Sequence, residues 1–195
     1  MTELTILLNE IRQCRECEQH LPLGPRPVLQ AGSDARILII GQAPGRRVHE
    51  SGVPWDDASG DRLRTWMGID RTKFYDPSQV ALVPMGFCYP GTGKSGDLPP
   101  RTDCAKFWHE SLLAHLNNIR LTLLVGSYAQ HRRLPAAQRA SLTTTVKRWQ
   151  DFAPEIFPLP HPSPRNNRWL KANPWFAEQL LPNLQRQTKT ILGAG

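Results

Sequence analysis

Three stretches of this 195-residue chain gather side chains that suit chemistry better than a core. The first is Gly41-Gln-Ala-Pro-Gly45. Its glycines allow a tight turn and close backbone approach, Pro44 stiffens it, and Gln42 offers both a donor and an acceptor. The plainer account is an ordinary strand-to-helix turn. The second is Trp55-Asp-Asp-Ala-Ser-Gly-Asp61, which sets an aromatic plane beside the carboxylates Asp56 and Asp57 at a helix start. The plainer account makes Asp56 or Asp57 a helix cap and Trp55 a core residue. The third is His161-Pro-Ser-Pro-Arg-Asn-Asn-Arg-Trp169. A histidine, a rigid Pro-Ser-Pro, two arginines and two asparagines on one loop make a poor core and a good grip for phosphates and bases.

Four cysteines add a further cluster. Cys14 and Cys17 form C-x2-C, Cys88 follows after 70 intervening residues, and Cys104 after 15 more. The N-terminal MTELTILLNEIRQC carries acids and no cleavage signature, so no secretion signal is expected. In a reducing compartment four thiols point to metal rather than to disulfides. Such a set takes an iron–sulfur cluster or zinc, with free buried thiols as the alternative.

The elements that must position these groups are short. Leu4, Leu7, Leu8 and Ile11 follow helical spacing, so residues 3–14 are expected to be an amphipathic helix capped by Thr2. Residues 36–41 read as a buried parallel strand, with further strands at 80–83, within 120–126, and at 156–159. Helices are expected at 59–67, 103–116, from 129, and over 173–184 with Pro174 in the first turn. Residues 21–29 and the stretch holding Gly86, Gly91, Gly93 and Gly96 read as loops. Strand and helix alternate, which implies an α/β fold: a central parallel four-stranded sheet flanked by helices, as a single domain over residues 1–195. No apolar run approaches 18 residues, so no membrane span is expected, and a cytoplasmic monomer is the working expectation.

Charge is distributed unevenly. Residues 1–130 hold 14 basic and 14 acidic side chains, whereas residues 131–195 hold 10 basic and 3 acidic ones. The whole excess of +7 therefore falls in the last third, the electrostatic footprint of a polyanion binder. A merely solubilising surface is the plainer account.

Together these stretches resemble the uracil-DNA glycosylase superfamily across about residues 10–185. GQAPG is similar to its first motif, a strand-end Gly-Gln/Glu-x-Pro, and HPSPRN to its second, a His-Pro-Ser loop that enters the minor groove. WDDASGDRL resembles a stretch of the broad-specificity thermophilic branch, in which an aromatic residue stacks on the flipped base and an acid follows. The cysteine spacing is similar to that of the iron–sulfur branches. The family's best-studied enzymes carry an aspartate at the third place of motif one, where Ala43 stands here. The iron–sulfur branches read uracil with an asparagine near the end of strand two, where alignment on Cys88 puts Pro84.

The resemblance implies a three-layer sandwich and a DNA base-excision enzyme that hydrolyses the N-glycosidic bond of uracil or another deaminated base. The acting groups would be Asp57, His161 and Gln42. Gly41, Ala43, Trp55 and Asp56 would hold the base, and Ser163, Arg165, Asn166 and Arg168 would hold DNA. Cys14, Cys17, Cys88 and Cys104 would carry a [4Fe–4S] cluster, with zinc or no metal as alternatives. A catalytically reduced module that recognises damaged DNA is the competing class. A phosphate-binding enzyme using GQAPG as an anion nest lacks both Gly-x-Gly-x-x-Gly and Gly-Lys-Ser/Thr.

Overall fold

Four strands, β1 (Ile37–Ile40), β2 (Val80–Leu82), β5 (Leu121–Val125) and β6 (Ile156–Leu159), pair in parallel in the order β2-β1-β5-β6. The computed structural model describes residues 2–94, 96–135 and 140–193. Ile37 pairs with Val80 on one side and Leu121 on the other, and Leu123 pairs with Phe157. These strands are apolar at nearly every position because helices cover both sheet faces. Successive side chains alternate between two cores. Ile37, Ile39, Val80, Leu82, Leu121 and Leu123 join one core, with α3 (Ala58–Met67) and α10 (Leu181–Leu192) packed over them. Leu38, Ile40, Ala81, Val83 and Leu124 join the other, covered by α1 (Glu3–Arg12), α6 (His109–Ala114) and α7 (Ser127–Arg133). The result is an α/β three-layer sandwich around a parallel sheet.

Thr2 caps α1 by accepting from the Thr5 N–H, as the sequence implies. Other elements depart from the expectation. The helix expected over 103–116 is two, α5 (Asp103–Phe107) and α6, broken at Trp108. The helix expected from 129 starts two residues earlier at Ser127, straight after Gly126. The last helix is displaced C-terminally. A π-helical turn at Phe176–Leu180, closed by the Leu181 N–H on the Phe176 carbonyl, leads into α10 and on to Leu192. Pro182 lacks the N–H an α-helical rung requires, and the wider turn accommodates its ring. Short α-helices also lie at Arg46–Ser51 (α2), Arg71–Phe74 (α4), Leu142–Lys147 (α8) and Asn167–Ala172 (α9). Within the glycine-rich stretch, β3 (Thr92–Gly93) and β4 (Gly96–Asp97) form a small antiparallel hairpin. Among the described residues no helix is long and apolar enough to cross a membrane.

The chain runs from β1 to β2 on one side, then returns to place β5 and β6 on the other. Where strand order reverses, helices diverge and a crevice opens beyond the carboxyl ends of the strands. The first and third motif stretches follow the ends of β1 and β6, and the second runs into the start of α3.

Candidate active site

A cavity of about 400 Å³ lies at this crevice, lined by Gly41, Gln42, Ala43, Trp55, Asp57 and Pro84, and by His161, Ser163, Arg165 and Asn166. The turn after β1, the segment before α3 and the loop after β6 thus converge on one space. A volume of this order suits a small planar group with its attachments.

The first turn is fixed by its own backbone. Gly41 and Gln42 carbonyls accept from the Met85 and Gly86 N–H groups, at 2.9 and 3.0 Å. The Gln42 side chain has no hydrogen-bond partner among the described residues, so its amide is available to the cavity. Trp55 lies over this turn: a Cβ on Gly41 would come within 2.7 Å of its ring. Trp55 is held at φ +57, a left-handed conformation that costs a bulky residue about 1–3 kcal/mol and persists only where the surroundings impose it. Those surroundings are visible. The Tyr75 hydroxyl donates to the Pro54 carbonyl at 2.9 Å, and a Cβ on Gly60 would collide with the Trp55 carbonyl. Gly60 is therefore the residue that lets α3 approach the tryptophan.

Asp57 is a helix cap and a cavity wall at once. Its Oδ1 accepts from the Gly60 N–H at 2.8 Å, while the residue lines the pocket. The two readings of Asp57 open at the sequence level are compatible. Asp56 is elsewhere: it does not line the cavity, and its carboxylate pairs with Arg71 at 2.8 Å, which holds its pKa below the usual carboxylate range.

His161 stacks against Trp55, with ring centroids 5.7 Å apart and planes inclined by 28°. Its Nδ1 accepts from the Ser163 N–H at 3.2 Å. That bond selects the tautomer with its proton on Nε2, a neutral donor. Burial lowers the His161 pKa, and the nearby Asp57 charge only partly opposes this. The loop is braced by Asn166 Nδ2 donating to the His161 carbonyl at 2.7 Å and by Arg62 donating to the Ser163 carbonyl at 3.2 Å. Arg165 is exposed at the cavity rim, whereas Arg168 lies on α9 and does not line the cavity.

Pro84, at the end of β2, offers the cavity no N–H, and its carbonyl is taken by His109 Nε2 at 2.9 Å. This end of the pocket presents apolar surface rather than a base-reading group. The hairpin supplies residues that sequence reasoning missed: Gly96, Asp97 and Leu98 all line the cavity. Two glycines flanking a Lys-Ser pair, residues 93–96, were the available hairpin signal.

The four cysteines line a second, small cavity with Leu21, Pro25, Pro27 and Phe87, and with Arg101. Cys104 Sγ accepts from the Phe87 N–H at 3.4 Å, and Cys17 Sγ lies 3.6 Å from Asp103. Burial pushes the Cys88 thiol up to about 12 and the Cys104 thiol up to about 11. Among the described residues, no group of His, Cys, Asp or Glu is arranged to hold a single metal ion. The four thiols line one shared space. A tetrahedral zinc needs all four sulfurs within about 2.3 Å of one centre, whereas a cluster spreads its ligands over four irons. An apolar wall and a backbone N–H directed at a cysteine sulfur are surroundings that would suit an iron–sulfur centre.

A strand-end Gly-Gln-x-Pro turn, a stacked tryptophan and a His-Pro-Ser loop surround one cavity, and the family model for the Uracil DNA glycosylase superfamily matches residues 29–185, so the chain belongs to that superfamily.

Proposed function

We propose that this protein is a DNA glycosylase that excises uracil or another deaminated base. The observation that carries the reading is the meeting of Trp55, Asp57 and a neutral Nε2-protonated His161 in one cavity of a superfamily member. A base inside a duplex is out of reach, so the nucleotide is flipped into the pocket at a cost of about a few kcal/mol. There it lies against the Trp55 ring. The bond between sugar C1′ and the base nitrogen breaks, and its electron pair leaves with the base. His161 Nε2–H donates to the base oxygen on which negative charge grows. A water adds its oxygen to C1′ and gives a proton to Asp57. The products are an abasic sugar and a base anion, which takes a proton from solvent. The Gln42 amide is the side chain available to read the base edge, in place of the asparagine missing at Pro84. Ser163, Arg165 and Asn166 hold the loop against DNA, with Arg168 on the flanking helix face.

The cysteine set fits a [4Fe–4S] cluster: Cys14 and Cys17 after α1, Cys88 after β2 and Cys104 on α5 would hold it. Its contribution is architectural, tying the N-terminal helix to the loop that carries Pro84. A binding module without catalysis is the second reading, and the occupied Pro84 carbonyl favours it, because the expected base reader is absent there.

One preparation tests both parts. Anaerobically purified protein is expected to be brown, with about four irons per chain, and to leave alkali-labile breaks in oligonucleotides containing uracil, hypoxanthine or xanthine. DNA binding without strand breaks on every lesion would transfer the assignment to the binding module. Protein free of both iron and zinc would remove the metal centre.

A further inference from the structure

The hairpin β3–β4 brings to the pocket a third charged group that none of the three motif stretches contains. We infer that Asp97 is a second catalytic carboxylate of this site, facing the sugar of the flipped nucleotide; the inference rests on the glycosylase reading of the cavity. Asp97 is the last residue of β4 and lines the same cavity as Ala43, Asp57 and His161. A Cβ on Gly45 would come within 3.3 Å of Asp97 Oδ2, so the carboxylate stands over the end of the motif-one turn, two residues beyond Ala43. The hairpin thus delivers an acid to the turn whose own third position has none. The guanidinium of Arg165 lies against Gly96, where any Cβ would collide with it. Asp97 feels the charges of both Arg165 and Asp57, and burial with the like charge of Asp57 raises its pKa against the pull of Arg165. Asp57, Asp97 and Arg165 form one electrostatic neighbourhood.

The chemistry has room for this second acid. As the C1′–N bond breaks and its electron pair leaves with the base, C1′ and the ring oxygen share a positive charge until water adds. The carboxylate that takes the water's proton loses its own charge in doing so. Asp57 has that task, with one oxygen already committed to the Gly60 N–H. A separate acid that stays ionised offsets the sugar cation throughout. Many enzymes that hydrolyse O-glycosidic bonds likewise divide two tasks between two carboxylates.

The test is single-turnover excision by Asp97→Asn on whichever lesion the native protein removes. The expected result is a rate about 10²-fold lower, with DNA affinity unchanged or raised because a negative charge near phosphates is gone. Because Asp97 adjoins Arg165, the structural alternative is that it only holds that arginine. Arg165→Ala and the double variant separate the two: a direct role makes the double variant slower than Arg165→Ala by the same factor. An Asp97→Asn rate within threefold of native, or a double variant no slower than Arg165→Ala, overturns the inference. Native protein that releases no base from any lesion overturns the pocket reading itself; active native protein with an unaffected Asp97→Asn removes Asp97 alone.

Discussion

In the proposed reaction Asp57 has two tasks, and a single substitution separates them. Its Oδ1 caps α3, and asparagine caps a helix as well as aspartate does. Asp57→Asn is therefore expected to melt at the native temperature while excising about 10²-fold more slowly, since the amide accepts no proton from water. Asp57→Ala loses the cap as well and is expected to cost about 1 kcal/mol of stability. His161→Ala should slow excision by about 10² to 10³ through loss of one donor to the departing base, with DNA affinity retained. Single-turnover rates beside thermal melts check all three. An Asp57→Asn protein with native rates would reduce this residue to a cap. The neighbouring Asp56 shows why residue type alone does not assign a role. It stands next in sequence and has the same chemistry, yet its carboxylate is turned to Arg71 on the surface. The sequence reading made Asp57 an acting group and set Asp56 against the base; the structure keeps Asp57 on the cavity wall and turns Asp56 to Arg71.

At the scale of elements, the sheet was legible because its strands are short runs of Ile, Leu and Val buried on both faces, with boundaries marked by Arg36, Gly41 and Gly126. The π turn before α10 was not, because Pro182 sits inside a helix that otherwise keeps its apolar spacing. The hairpin was not legible either. Its strands are two residues each, and its pocket residue Asp97 is named by no motif. What brings Asp97 to the site is the docking of the hairpin over Gly45, a contact between segments about 50 residues apart. The Trp55 geometry is likewise tertiary, imposed by α3, and Gly60 is its hinge point. Gly60→Ala places a methyl group against the Trp55 carbonyl, which is backbone and cannot swing aside. Overpacking of this kind costs about 1–3 kcal/mol. The variant is expected to unfold at lower urea and to lose excision as Trp55 is pushed from its place over Gly41. A Gly60→Ala protein with native stability would show that α3 can slide, and that the left-handed Trp55 is not enforced by this contact.

For the whole molecule, the relevant asymmetry is between a charge-balanced first two thirds and a basic last third, of which Arg139 lies outside the described residues. The last third includes the His161 loop, with Arg165 at the cavity rim, and α9, which carries Arg168 and Lys171. Polyanion binding of this kind releases counterions, and affinity for duplex falls with salt at a slope of about −0.9 for each phosphate neutralised, or about −0.7 for a single strand. The structure divides the two arginines that sequence treated alike. Arg165 borders the cavity beside Gly96, whereas Arg168 lies on the exposed face of α9. Arg168→Glu is expected to weaken binding to damaged and undamaged DNA equally and to flatten the salt slope by about one phosphate's worth, with the excision rate of bound substrate unchanged. Arg165→Glu should weaken binding similarly and also slow excision, because it alters the charge beside Asp97 and Asp57. Fluorescence-anisotropy titrations from low to moderate salt, paired with single-turnover rates at saturating protein, separate these effects. Affinity independent of salt would mean that the basic third is a solubilising surface. Equal loss of excision in both variants would place α9 inside the working site, against the position of Arg168 away from the cavity.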